Sequence, residues 1–246
     1  MGLQKPRYQR VVLKVSGEAF GAGEAAGLDT ARVRSIANRL KRVAALGVEL
    51  AVVVGGGNFI RGRRLVNEGV SDSTADYMGM LATVINGLAL QDALESLGLQ
   101  TRLQTAIEMR AVAEPYIRRR ATRHLEKKRI VILAAGTGNP HFTTDTAAAL
   151  RAREISADIL LKGTNVDGVF SADPARDPQA KKYDTLTYLD VLNLQLGVMD
   201  STAITICMES RIPIIVFNLF QEGTIARAIM GEPVGTLISG GNHASG

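Results

Sequence analysis

The chain is poor in the residues that build metal centres and cross-links: its 246 residues include one cysteine and three histidines. Cys207 alone cannot form an intramolecular disulfide and fits a reducing compartment. Its neighbours Ile206 and Met208 mark it as a packed thiol rather than a nucleophile. His124, His141 and His243 are not spaced with cysteines or carboxylates as a zinc site requires, so no resident transition metal is expected. No run of about 18 apolar residues is present to span a bilayer, and residues 1–10 lack the apolar centre of a secretion signal. Gly2 follows Met1, but Pro6 stands where myristoylation needs serine or threonine. A cytoplasmic protein is the expectation. Both familiar phosphate fingerprints are missing as well: there is no G-x-x-x-x-G-K-[ST], and Gly21, Gly23 and Gly27 have the wrong spacing for G-x-G-x-x-G. A P-loop enzyme is thereby disfavoured.

What is present points elsewhere. With 46% hydrophobic residues the chain can bury a large core, and we read residues 1–246 as a single domain with lobes. The net charge of +5 suits nucleic acid or small anionic substrates. Arg118, Arg119, Arg120, Arg123, Lys127, Lys128 and Arg129 form one basic block, but it has no interleaved aromatics on which bases could stack. It reads as a solvated helix face, and a nucleic-acid partner is not expected.

Short apolar, β-branched runs at 11–15, 48–54, 130–134, 159–162 and 212–217 alternate with helical patterns. Near-continuous apolar strands imply a mostly parallel sheet covered on both faces. Asp29 can cap a helix with the core stripe Val33, Ile36, Ala37 and Leu40, and Gly47 can end it. A second long helix follows Asp72, with Met78, Leu81, Ala82, Ile85 and Leu88 on one face and Gly79 and Gly87 open to close approach by a neighbour, such as another subunit. Residues 239–246 read as a loose tail.

Four loops after strands carry chemistry. Lys14 ends the first strand and precedes Ser16 and Gly17, so its ammonium projects at the carboxyl edge where ligands collect. Gly55, Gly56, Gly57 and Asn58 follow the second, with Arg61 beyond. Consecutive glycines expose backbone N–H groups to a phosphate, and a guanidinium can grip its oxygens. The third loop runs Gly136-Thr137-Gly138-Asn139-Pro140-His141-Phe142-Thr143-Thr144-Asp145, where Thr144 or Asp145 can alternatively cap a helix. The fourth contains Lys162, Gly163, Thr164, Asn165, Asp167, Gly168, Phe170 and Asp173. Asp200 can equally well be a simple helix cap. Four such loops converging on one sheet edge indicate a nucleotide-handling enzyme.

At these residues the chain resembles the bacterial UMP kinases, or uridylate kinases, of the amino acid kinase superfamily. The likeness rests on Leu13-Lys14-Val15-Ser16-Gly17-Glu18-Ala19, the glycine loop with Arg61-Gly62, Asp76-Tyr77-Met78-Gly79-Met80-Leu81-Ala82-Thr83, the loop at 136–145, Asp167-Gly168-Val169-Phe170 with Asp173-Pro174, and Val198-Met199-Asp200. The resemblance implies a three-layer α/β/α sandwich, transfer of the γ-phosphoryl group of ATP to UMP in pyrimidine nucleotide biosynthesis, magnesium carried with the ATP, and a homohexamer activated by GTP and inhibited by UTP. Carried over, Lys14, Val15, Ser16, Gly17, Gly57, Arg61, Thr164, Asn165, Phe170 and Asp173 would serve ATP. Gly56, Asp76, Thr137, Gly138, Asn139, Pro140, His141, Phe142, Thr143 and Thr144 would hold UMP. Lys14, Arg61, Asp145 and Asp200 would be catalytic, the cations neutralising the transferring group and the carboxylates orienting those cations or magnesium. Many relatives carry phenylalanine at His141 and lysine at Asn165. Rival readings are a nucleotide storage module on the same fold, a nucleic-acid binder using the basic block, and another small-molecule kinase of the superfamily.

Overall fold

The computed structural model describes residues 5–21, 27–174, 176–177 and 179–241. Of the expected tail, residues 239–241 are in view, with Ser239 ending the last strand rather than lying in a loose tail, whereas 242–246, including His243, and 22–26 lie outside the described residues. In chain order the elements are β1 (Arg10–Val15), α1 (Thr30–Ala44), β2 (Glu49–Val54), α2 (Gly62–Asn67), α3 (Asp72–Ser96), β3 (Thr101–Thr105), β4 (Glu114–Pro115), α4 (Arg118–Glu126), β5 (Ile130–Ala134) and α5 (Thr144–Glu154). There follow β6 (Ile159–Thr164), β7 (Val169–Phe170), β8 (Lys182–Tyr183), β9 (Thr185–Thr187), α6 (Tyr188–Asn193), α7 (Ser201–Ser210), β10 (Ile214–Asn218), α8 (Thr224–Met230) and β11 (Thr236–Ser239).

One nine-stranded sheet runs β4-β3-β5-β2-β1-β6-β10-β11-β9, and β7 with β8 forms a separate antiparallel hairpin. Pairing is parallel from β4 through β10, while β11 runs antiparallel to β10. Helices cover both faces, as the α/β/α expectation requires. Alternation along β1 sends Val11, Leu13 and Val15 into a core with α1, α3 and α8, and Val12 into a second core with α4, α5 and α7. Each fully buried Val, Leu or Ile contributes about 1.5–3 kcal/mol, so the two cores fix the strand faces strongly. Lys14 shares the parity of Val12 and pairs in register with Lys162 of β6. Both ammoniums therefore face the α5 side, at the strands' carboxyl ends. Successive connections diverge here, β1 leading to β2 on one side and β6 to β10 on the other, which opens a crevice.

Asp29 caps α1 as expected, accepting from Ala31 N at 2.8 Å and Arg32 N at 3.2 Å. The basic block is the expected solvated face: α4 buries Ala121 and Leu125 and leaves Arg118, Arg119, Arg120 and Arg123 exposed. The stripe on α3 departs from the expectation at Ala82. Ala82 packs inward with Ala75, Met80, Thr83, Val84 and Asn86, while Tyr77, Met78, Leu81, Ile85 and Leu88 stand 36–48% exposed. Gly87 packs on its own sheet, where a Cβ would come 2.7 Å from Leu103 Cδ1, so only Gly79 of the two glycines faces open space. Apolar residues surround this helix, so periodicity could not say which side was core. No helix among the described residues is long and apolar enough to cross a membrane.

Candidate active site

A buried ion triad lies at the switch point. Asp145, in the first turn of α5, holds Lys14 Nζ 2.9 Å from Oδ1 and Lys162 Nζ 2.6 Å from Oδ2. Lys162 also donates to the carbonyl of Val198. Burial alone would raise the Asp145 carboxyl, but the Lys14 and Lys162 charges and their hydrogen bonds outweigh it and hold it below the usual carboxylate range. The Lys162 ammonium is pushed down from the ordinary lysine range: burial is the main cause, Asp145 opposes it, and Lys14 adds repulsion. A lysine sharing its ion-paired carboxylate with a second lysine is under-compensated there, even with the more distant Asp200 charge added. The triad carries an excess positive charge aimed at the crevice.

The α5 N-terminus is built by Thr143, not by the Thr144 or Asp145 considered from sequence. Its Oγ1 accepts from Asp145 N at 3.0 Å and Thr146 N at 3.2 Å, and donates to Asp200 Oδ2. Asp200 in turn caps α7, accepting from Ala203 N at 2.8 Å, and takes a second threonine bond from Thr146 at 2.7 Å. It thus stitches the N-termini of α5 and α7 together. The alanines of α5 (Ala147, Ala148, Ala149, Ala152) allow close packing with the sheet and α7. Cys207 of α7 is wholly buried and its thiol is pushed up to about 12, mainly by burial and then by the Asp200 charge, as suits a packing residue.

One cleft is lined by Lys14 and Lys162 of the triad, and a second by Thr143 and Thr144, which immediately precede Asp145 in the chain. The first, about 380 Å³, is lined by Lys14, Ser16, Arg61, Thr164 and Asn165 from the sequence expectation, and by Glu18, Arg32, Lys162, Leu219 and Phe220 besides. Arg61 meets Glu18 at 3.3 Å across its mouth. Val15 is wholly buried and can offer only backbone. Phe170 on the β7 hairpin, and Asp173 beyond it, do not line this cleft.

The second cleft, about 310 Å³, is lined by Gly56, Asp76, Phe142, Thr143 and Thr144, with Gly57, Gly79, Thr83 and Gly136. Gly57, expected on the ATP side, faces this one. Thr137, Gly138, Asn139, Pro140 and His141 arch beside it, tied down where His141 N donates to Asp76 Oδ2 at 2.7 Å. The arch starts at Ala135, whose φ of 61° is left-handed and whose N–H donates to Thr83 Oγ1 at 2.6 Å.

The glycine loop owes its composition to packing as much as to phosphate access. A Cβ at Gly17 would sit 2.2 Å from Gly57 N, and one at Gly56 2.7 Å from Gly79 O. Asn58 and Asn86 clamp the loop to α3 by a reciprocal buried amide pair at 3.0 and 2.7 Å, and Asn86 also donates to Gly55 O at 2.8 Å. Sequence reading missed Asn86 and Thr83. Polar residues on the inner face of an apolar helix were the available signal.

Chemically, the arrangement offers cations and helix N-termini on one side of the triad and hydroxyls, amides and a carboxylate on the other. Such a site can bring two anions together. The profile of the amino acid kinase family matches residues 9–218. Among solved structures, the chain is similar to a UMP kinase from Bacillus anthracis, with 39% identity, coverage of 96% of this chain and 97% of that one, and a TM-score of 0.92. It is similar to a UMP kinase from Ureaplasma parvum at 35% identity, 95% and 99% coverage and a TM-score of 0.88. A uridylate kinase from Archaeoglobus fulgidus gives 31% identity, 94% and 100% coverage and a TM-score of 0.71.

Proposed function

Because this chain belongs to the amino acid kinase family, we propose that it is a nucleoside monophosphate kinase that transfers the γ-phosphoryl group of ATP to UMP, giving ADP and UDP. The observation that carries this reading is the Lys14–Asp145–Lys162 triad between two clefts. In it, the first cleft takes the donor and the second the acceptor, so that the N-terminal part of one domain serves mainly UMP and the C-terminal part mainly ATP.

The physical reason is charge. MgATP and UMP both arrive as anions, and at an effective dielectric of about 20 a unit charge about 4 Å away contributes roughly 4 kcal/mol. Lys14, Lys162 and Arg61 offset the repulsion and stabilise the equatorial oxygens of the transferring group, which are the main catalytic needs of phosphoryl transfer. Asp145 holds the two lysines at fixed separation and Asp200 positions the α5 N-terminus; neither is needed as a base. Both carboxylates are already committed to protein partners. Magnesium would arrive on the nucleotide, liganded chiefly by phosphate oxygens and water. Asp76 would accept hydrogen bonds from the ribose hydroxyls, with Phe142 beside the uracil.

The exposed apolar face of α3 supports assembly into a homo-oligomer, a hexamer by family resemblance. GTP activation and UTP inhibition belong to the same reading, as does a cytoplasmic location. The test is coupled ADP release with MgATP and UMP, CMP, deoxy-UMP or AMP. Turnover with UMP that is lost in Lys14→Ala is expected, and slower turnover of deoxy-UMP if Asp76 reads the ribose. Nucleotide binding without turnover of any acceptor would refute catalysis and favour a storage module.

A further inference from the structure

The mouth of the first cleft is walled by a cation that none of the four strand-end loops supplies. Arg32, in the first turn of α1, lines that cleft together with Lys14 and Arg61, and also lines an adjoining cavity of about 450 Å³. Its guanidinium lies 5.8 Å from the ring centroid of Phe220, a side chain 41% exposed in the turn after β10. The turn itself is fixed. Arg39, further along α1, donates to the carbonyls of Phe220 at 2.8 Å and Gln221 at 3.1 Å, and Phe220 N donates to Asn218 Oδ1 at 2.9 Å. Phe220 is therefore a platform, held from α1 and by its own loop, on which the guanidinium rests.

The charge of Arg32 is weakly compensated. Its ion pair is with Asp29 at 3.9 Å, beyond hydrogen-bond reach, and that carboxylate is already engaged in capping α1. Asn165 lines both cavities as well and brings no charge. A planar cation supported on an aromatic face, at the edge of a cleft that already holds a lysine pair, matches the two-pronged grip of guanidinium on phosphate.

We propose that Arg32 is a further binding residue for the donor nucleotide, gripping phosphate oxygens of ATP from the α1 side. It supplies a cation at the cleft mouth from the α1 side, and Phe220 is its positioning residue. The inference rests on the reading of the first cleft as the donor site. It adds a residue from a helix outside the strand-end loops, and makes the turn after β10 part of nucleotide affinity.

The experiment is ADP release with UMP saturating and MgATP varied, for wild type, Arg32→Gln, Arg32→Lys and Phe220→Leu. Arg32→Gln is expected to raise the KM for ATP about tenfold, the loss of one charge-assisted contact at a partly exposed site. Its kcat and KM for UMP stay within about twofold of wild type, because the transfer point is untouched. Arg32→Lys keeps the charge and stays within about threefold, and Phe220→Leu, which removes only the platform, gives a rise of about threefold. An unchanged KM for ATP in Arg32→Gln overturns the proposal. So does equal impairment of the Lys and Gln variants, or a shift in the UMP constant instead. Should wild type fail to turn over UMP, the kinase reading falls; calorimetric ATP affinity of wild type against Arg32→Gln then decides Arg32 separately, equal affinities overturning it.

Discussion

Replacing Asp145 by asparagine removes one negative charge from between two ammonium groups and leaves the volume nearly unchanged. In the wild type the carboxylate lies 2.9 Å from Lys14 Nζ and 2.6 Å from Lys162 Nζ, with all three side chains only 11–14% exposed. The ammoniums sit on different oxygens of one carboxylate, roughly 6 Å apart, so their repulsion is about 3 kcal/mol at an effective dielectric of about 20. Removing one partner of a buried ion pair costs about 3–5 kcal/mol, which agrees. At about 2–4 °C per kcal/mol for a chain of this size, the nucleotide-free variant should melt roughly 6–20 °C below wild type. A bound triphosphate supplies the missing anion, so MgATP should raise the melting temperature more in the variant than in the wild type. Turnover should fall because the lysines lose their common anchor. Thermal melts with and without MgATP, read by circular dichroism, check this. A nucleotide-free melting temperature within about one degree of wild type would refute the reasoning, as would equal ATP-induced shifts.

Three further outcomes follow from the same structure. The Lys162 ammonium is depressed, so between its folded pKa and the unfolded value of about 10.4 the unfolded chain binds more protons and Lys162's contribution to stability rises with pH. Over that window the charged form that meets phosphate disappears; kcat/KM should decline there, and Lys162→Arg should extend activity to higher pH, whereas superimposable alkaline limbs would exclude Lys162 as the titrating cation. Asn86→Ala leaves Asn58 Oδ1 and Gly55 O without their buried donor, for a loss of about 2–4 kcal/mol in urea denaturation; a loss below about 1 kcal/mol would mean that the clamp does not hold the loop. Ile85→Glu puts a charge in the exposed apolar face of α3 and should lower the assembly state seen by sedimentation, with an unchanged mass ruling this face out of the interface.

Much of the site was legible because it follows strands. Lys14, the glycine loop, the arch from Gly136 and the segment at Thr164 each come directly after an apolar run, and a parallel sheet brings such loops to one edge whatever the order of its strands. The sequence pattern gave no sign of β3, β4, β7, β8, β9 and β11, whereas the five strands it did give fall nearly on their observed bounds, apart from β10. It begins at Ile214 rather than 212 because Pro213 has no N–H to give the ladder. On α3, Met78, Leu81, Ile85 and Leu88 share one exposed face as the pattern indicated, and only Ala82 turns inward, because the helix is apolar on more than one side. Asp200 was legible as a cap residue, but the cap of α5 falls on Thr143 rather than on Thr144 or Asp145, and the bond between Thr143 and Asp200 was not legible, since α5 and α7 meet only in three dimensions.

Taken alone, the sequence determined the α/β class, the alternation that gives each strand a core on both faces, and which glycine-rich and polar loops follow the strands. These depend on local pattern: apolar runs, capping residues and glycines. The tertiary structure decided which groups work together. Register put Lys14 beside Lys162, strand parity turned both toward α5, and the packing of α5 on α7 delivered Asp145 between them. It also brought Arg32 to Phe220 across 188 positions of chain. Neither relation is encoded in spacing, because charge interactions fall off with distance in space, and only the order of strands and the faces they share set that distance.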